Sequence, residues 1–180
     1  MAEVIPFRGI LYNTDKVSGS SVVAPPYDII SPELKKNLYG RSPYNIVRID
    51  FGAEQAEDNE TENKYIRASH YLKEWLNDGL LTKSSKPCFY AYEMDYMTSE
   101  GQKKLAGFFG LVRIEELGNG VYPHEETHSK PKTDRLNLMT ACRANTSPIF
   151  SIYNSAEKKA SAVVKKALEA KPYMKAEDLN

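Results

Sequence analysis

The chain lacks every glycine-rich strand-to-helix turn that would cradle a nucleotide: neither G-x-G-x-x-G nor G-x-x-x-x-G-K-[ST] occurs in its 180 residues. Rossmann and P-loop modes of nucleotide binding are therefore excluded. Cysteine is scarce. Cys88 and Cys142 have no paired spacing, which rules out a zinc knuckle or a C-x-x-C redox motif and leaves the expectation of two buried thiols in a reducing cytoplasm. No apolar run is long enough to span a bilayer, and no long apolar stretch follows the start MAEVIPFRG, so a cytoplasmic protein without a membrane anchor is expected. Net charge is absent as well. With 24 basic and 24 acidic side chains, no overall field draws the molecule to nucleic acid or to an anionic membrane.

What is present is enough chain to bury a core without disulfide or metal staples. Ile5 to Tyr12 alternates as a short strand. In VVAPPYDII (22–30), Pro25 and Pro26 forbid a helix and stiffen an extended turn that could aim Asp28 at a ligand or serve as structure alone. Ser31 and Pro32 then open a helix that Gly40 ends, and Ile46 to Phe51 reads as the next strand. From Glu60 to Asp78, apolar Tyr65, Ala68, Leu72, Trp75 and Leu76 recur at helical spacing before Gly79. His70 falls on the surface or boundary of that helix. Cys88 to Met97 and Leu105 to Ile114 flank SEGQ as a long β-hairpin with both faces covered. Thr133 or Asp134 caps a helix bearing Leu136, Met139 and Cys142, Pro148 to Tyr153 forms a strand, and Ser155 starts a last helix. The expected fold class is α+β, a mixed or antiparallel sheet with a long hairpin and about four helices at 31–39, 60–78, 134–143 and 156–170. Residues 1–85 form one α/β segment, and 86–180 hold the hairpin and the chemically rich loop, together in one compact unit.

That loop lies in VYPHEETHSKPKTDRLNLMTACRANTSPIF (121–150), which gathers His124, Glu125, His128, Lys130 and Lys132 between two sheet-like segments. Loops on rigid scaffolds are where sites usually sit. His124 to His128 matches H-E-x-x-H letter for letter, yet Pro123 and Pro131 leave barely two helical turns. Pro131 and Asp134 also stand where the extended motif needs glycine and a third histidine, so the context argues against zinc. Glu125 reads as a loop carboxylate able to take a proton from a hydroxyl, or else as one member of a solvated turn whose charges pair. Lys130, Lys132 and Arg135 gather at the start of a helix. There they form a phosphate cradle or pair with Asp134, the simpler of the two. Asn145, Thr146 and Ser147 make a polar turn whose amide and hydroxyls either face the same site or only turn the chain.

Six ordered blocks, PFRG (6–9), VVAPPYDIIS (22–31), SPYNIVRI (42–49), PHEETH (123–128), DRL (134–136) and ANTSPIF (144–150), together resemble the domain of unknown function 1015 family of bacteria and archaea. The blocks span nearly the whole chain. That family is remotely similar to the ParB/sulfiredoxin fold, and its relatives include kinases that phosphorylate free L-serine. The resemblance implies ParB/sulfiredoxin-like elements in the second half of the chain and an ATP- or ADP-dependent amino-acid kinase using Mg2+. It makes Glu125 similar to the carboxylate that takes the proton from the serine hydroxyl. His124, His128, Lys132, Arg135, Asn145 and Ser147 are the candidates for holding substrate or phosphate. The Asp-Gly-His-His-Arg box that contacts nucleotide phosphates in such kinases is absent from these residues. The expectation is thus an N-terminal part, inactive without its missing C-terminal partner segment. The alternatives are a ParB-like DNA-binding or partition-type protein, against which the neutral charge argues, and a non-catalytic module that binds a phosphorylated metabolite.

Overall fold

The computed structural model describes residues 2–123, 129–154 and 156–178. In chain order its elements are β1 (Val4–Ile5), β2 (Ile10–Tyr12), α1 (Gly19–Val22), a 3-10 turn (Tyr27–Ile29), α2 (Pro32–Arg41), α3 (Val47–Asp50) and α4 (Lys64–Asn77). There follow β3 (Leu81–Lys83), β4 (Tyr90–Thr98), β5 (Gly101–Phe109), β6 (Leu111–Val112), α5 (Ser129–Cys142) and α6 (Lys159–Leu168). The architecture is mixed α and β, with three two-stranded sheets, β1–β6, β2–β3 and β4–β5, among the described residues. No helix among them is long and apolar enough to cross a membrane.

The chain divides into two compact units. The first comprises Met1–Gly9, Lys83–Glu125 and Ile149–Tyr173; the second comprises Ile10–Thr82, Glu126–Pro148 and Met174–Asn180. In the first unit the hairpin is the expected one with a tighter turn. Antiparallel β4 and β5 run from Tyr90 opposite Phe109 to Thr98 opposite Gly101, so Ser99 and Glu100 alone make the turn. Gly101, at φ +107°, takes a backbone conformation that side chains disfavour. The expectation of two covered faces is corrected: α6 packs on the strands, but residues 93–100 are exposed, and Lys104 is balanced there by Glu93 and Asp95. The strand expected over Ile5 to Tyr12 is broken, because Pro6 has no N–H to give a ladder. Phe7 instead exchanges both backbone hydrogen bonds with Cys88. Gly9 donates its N–H to the Tyr90 hydroxyl at 2.6 Å, an approach that a Cβ would block at 2.8 Å from the ring.

The second unit holds most of the core. α4 turns Ala68, Leu72 and Trp75 toward Ile49, Leu80, Leu81 and Leu138, while Ile30, Leu38 and Val47 form a smaller cluster. α4 begins later than Glu60 because Asn59 and Asn63 divide the segment. The Asn59 Oδ1 accepts from the Thr61 and Glu62 amides in a turn of its own, and Asn63 caps the helix by accepting from Tyr65 and Ile66. α2 opens as expected, with Ser31 accepting from the Leu34 amide. It runs through Gly40 to Arg41, since one glycine weakens a helix without ending it.

Three assignments are corrected outright. Ile46 to Phe51 is not a strand: its apolar residues bury as one helical turn, α3, because the buried Asn45 Oδ1 accepts from the Val47 amide and starts that turn. Pro148 to Tyr153 carries no ladder among the described residues. Ile149 and Ile152 are each 88% exposed, and a strand needs a partner to satisfy its backbone. α5 starts at Ser129 rather than at a Thr133 or Asp134 cap. Pro131 fits its first turn, where the missing N–H is one the helix leaves unpaired. Both cysteines are free and half-buried rather than buried.

Candidate functional site

Within the second unit, four of the sequence blocks converge on one buried knot and one ion-paired cluster. Asn45, fully buried, donates its amide to the carbonyls of Ser21 and Val23 at 3.0 and 2.8 Å while its Oδ1 starts α3. The segments 21–23 and 45–47 are thereby tied together, and α3 carries Asp50 at its end.

Asp50 Oδ1 accepts from Arg135 Nη1 at 3.0 Å, from Thr146 Oγ1 at 2.7 Å and from Ser147 Oγ at 2.5 Å. Arg135 also donates to the Asp50 carbonyl at 2.8 Å, to Ser147 Oγ at 3.1 Å and, through Nη2, to Asp134 at 2.6 Å. Its guanidinium lies over the Tyr27 ring, 4.1 Å from the centroid. This uses the whole fork: planar stacking plus directed pairing is the work a lysine could not do. The side chains of Arg135 and Asp50 are only 17% and 16% exposed, so the pair is screened far less than a surface bridge.

Asp134 extends the cluster to α4. It accepts from the Tyr65 hydroxyl at 2.8 Å and pairs with Lys64, which also reaches Glu54. Burial alone would raise the Asp134 pKa, but hydrogen bonds from Arg135, Lys64 and Tyr65 outweigh it and hold the carboxyl at about 2. Burial likewise opposes the charge of Lys64, and its bonds to Asp134 and Glu54 overcome that and raise its pKa. Lys35 is lowered by burial first and by the Lys64 charge second. It donates to the Gly52 carbonyl and sits over the Phe51 ring. The recess among Ile49, Asp50, Gly52, Lys64, Tyr65 and Arg135 has a volume of about 10 Å³, room for roughly one water. The cluster is a brace around a small void, with Asp50, Glu54 and Asp134 balanced by Lys35, Lys64 and Arg135.

The expected site residues distribute unevenly. His124, Glu125 and His128 lie outside the described residues. Lys132 is exposed on the first turn of α5 and makes no ion pair to any described residue. Arg135 and Ser147 meet through Asp50, and Asn145, itself exposed, accepts from the Ser147 amide at 3.2 Å to shape the turn. The pairing of Arg135 with Asp134, the simpler reading of that basic stretch, is present. Asp28 is exposed in the 3-10 turn, whereas its neighbour Tyr27 faces Arg135 and Phe51. Asp50 and Lys64 are members of the cluster that sequence reasoning misses, and Tyr27 is reached only as the neighbour of Asp28 in the stiff APPYD segment. The one available signal was that SPYNIVRI runs directly into Asp50. Among the described residues no group of three or more His, Cys, Asp or Glu side chains could hold a metal ion.

These features define a mixed α/β chain whose loops are braced by a carboxylate–guanidinium cluster. The family model described as "Protein of unknown function (DUF1015)" matches residues 4–180, and the chain belongs to that family. No curated protein and no solved structure matches it.

Proposed function

We propose that this chain carries the acceptor-activating part of a small-molecule kinase that moves phosphate from ATP or ADP to the hydroxyl of free L-serine or a similar amino acid. Glu125 takes the hydroxyl proton as the serine oxygen forms its bond to phosphorus and the bond to the departing nucleotide breaks. His124, His128 and Lys132 offer donors to the substrate or its phosphate. Arg135, Asn145 and Ser147 are read as positioning residues, since Arg135 could reach a phosphate only by leaving Asp50 and Asp134. Mg2+ would accompany the nucleotide, as phosphoryl transfer from ATP or ADP requires.

The observation that carries this reading is the clamp on α5. Glu125 precedes Ser129, where that helix begins, and Arg135 is held by Asp50, Asp134 and Ser147. A rigid element next in sequence to a proposed reacting group is what such a site calls for. The test is mass-spectrometric detection of O-phosphoserine from the full-length protein with L-serine, Mg2+ and either ATP or ADP. Product supports the kinase. Thermal stabilisation by phosphoserine without any turnover would favour the non-catalytic binding module, and a shift of duplex DNA at low salt would favour the DNA-binding alternative.

A further inference from the structure

A second concavity of about 400 Å³ opens between α4 and the C-terminal end of α5, lined by Ile66, His70, Lys73, Ala141, Cys142 and Arg143 among others. It shares no lining residue with the Asp50–Arg135 cluster, and its volume is that of a small-molecule site. Ile66, His70 and Lys73 recur at helical spacing along one face of α4, and Arg143 closes the groove where α5 ends.

The charge here is of one sign. Lys73 and Arg143 lie in a lining that contains no carboxylate, and neither forms an ion pair with a described residue. Burial raises the pKa of the Cys142 thiol, and the Lys73 charge acts against that rise, so the ammonium is felt inside the groove. Asp50 acts the other way on Cys142, but its carboxylate is already held by Arg135, Thr146 and Ser147.

Backbone strain marks the same place. Arg143 sits at φ +51°, in the left-handed region where glycine is the easy choice after a helix. Its amide bonds the Met139 carbonyl at 2.8 Å, so the conformation belongs to the helix end. An arginine in this conformation is at an energetic disadvantage to glycine.

We propose that this groove binds a small organic oxyanion, its phosphate or carboxylate between Lys73 and Arg143 and a short apolar body against Ile66 and Ala141. The proposal stands independently of the phosphoryl-transfer reading. It is tested by titrating the full-length protein with phenyl phosphate and, separately, benzoate, following the backbone amides of 66–73 and 140–143 by NMR. Lys73→Gln and Arg143→Gly are compared with the wild type. Shifts confined to those amides with at least one probe are expected, and each variant should weaken binding by about fivefold or more, the effect of one charged contact. Arg143→Gly should also raise the melting temperature by relieving the positive φ, so that stability and binding change in opposite directions. No shift with either probe, or binding that survives both substitutions unchanged, would overturn the site.

Discussion

Arg135 of α5 and Asp50 of α3 are 85 positions apart in sequence and joined at 3.0 Å in the fold, and through Ser147 and Thr146 the same carboxylate gathers the loop that follows α5. One largely buried ion pair thus ties three separate segments of the chain together.

Removing the guanidinium leaves Asp50 and Asp134 without their shared cation in a largely desolvated place. Arg135→Ala should destabilise the protein by about 2 kcal/mol, less than the roughly 3–5 kcal/mol of a fully buried pair, because both side chains keep some exposure. Arg135→Lys should lose more than half as much, since the charge remains but the fork and the stack on Tyr27 do not. Urea unfolding followed by the fluorescence of Trp75, the sole tryptophan, measures both.

Acid should release part of this stability. The Asp134 carboxyl is held at about 2, below its ordinary 3.8. A group depressed on folding stabilises above its unfolded pKa and loses that contribution as pH falls through the folded one. The loss therefore runs from about pH 4 to about pH 2 and amounts to about 1–2 kcal/mol. Asp134→Asn should be less stable than the wild type at pH 7, with a flatter stability profile across that window. Parallel profiles would show that Asp134 contributes nothing through its ionisation.

Asn45 is expected to be the least tolerant polar position of the second unit. Asn45→Ala leaves the Ser21 and Val23 carbonyls and the Val47 amide without their partner in a fully buried site, a loss of about 2–4 kcal/mol. Asn45→Asp should be at least as damaging, because it removes the two donors and buries a charge. Denaturant midpoints of the two variants decide this.

Local signals in the sequence carried the elements whose causes are local. Ser31-Pro32, the 3.6-residue spacing of Ala68, Leu72 and Trp75, and the aromatic run on either side of SEGQ each specify their element through neighbours a few residues away. Ile46 to Phe51 misled because a short apolar run fits a buried strand or a helical turn equally well. The side chain of Asn45, anchored on residues 21–23, decides between them. The local sequence offers Asp134 as a helix cap, in alternation with Thr133, or as the partner of a nearby cation such as Arg135; its further partners, Lys64 and Tyr65, lie on another helix. The brace itself was half legible. Arg135 and Ser147 stand out in the sequence separately, one in the basic stretch 130–135 and the other in the polar turn 145–147, while Asp50 has no local feature that sets it apart. Its role exists only once α3, α5 and the 145–147 turn are brought together.

The most direct measurement is the rate of O-phosphoserine formation by the full-length protein with L-serine, Mg2+ and ATP or ADP, wild type beside Glu125→Gln. If Glu125 is the base, the wild type makes product and the isosteric variant is slower by about 100-fold or more at unchanged stability. No product from the wild type with either donor, or an undiminished rate in Glu125→Gln, would contradict the assignment.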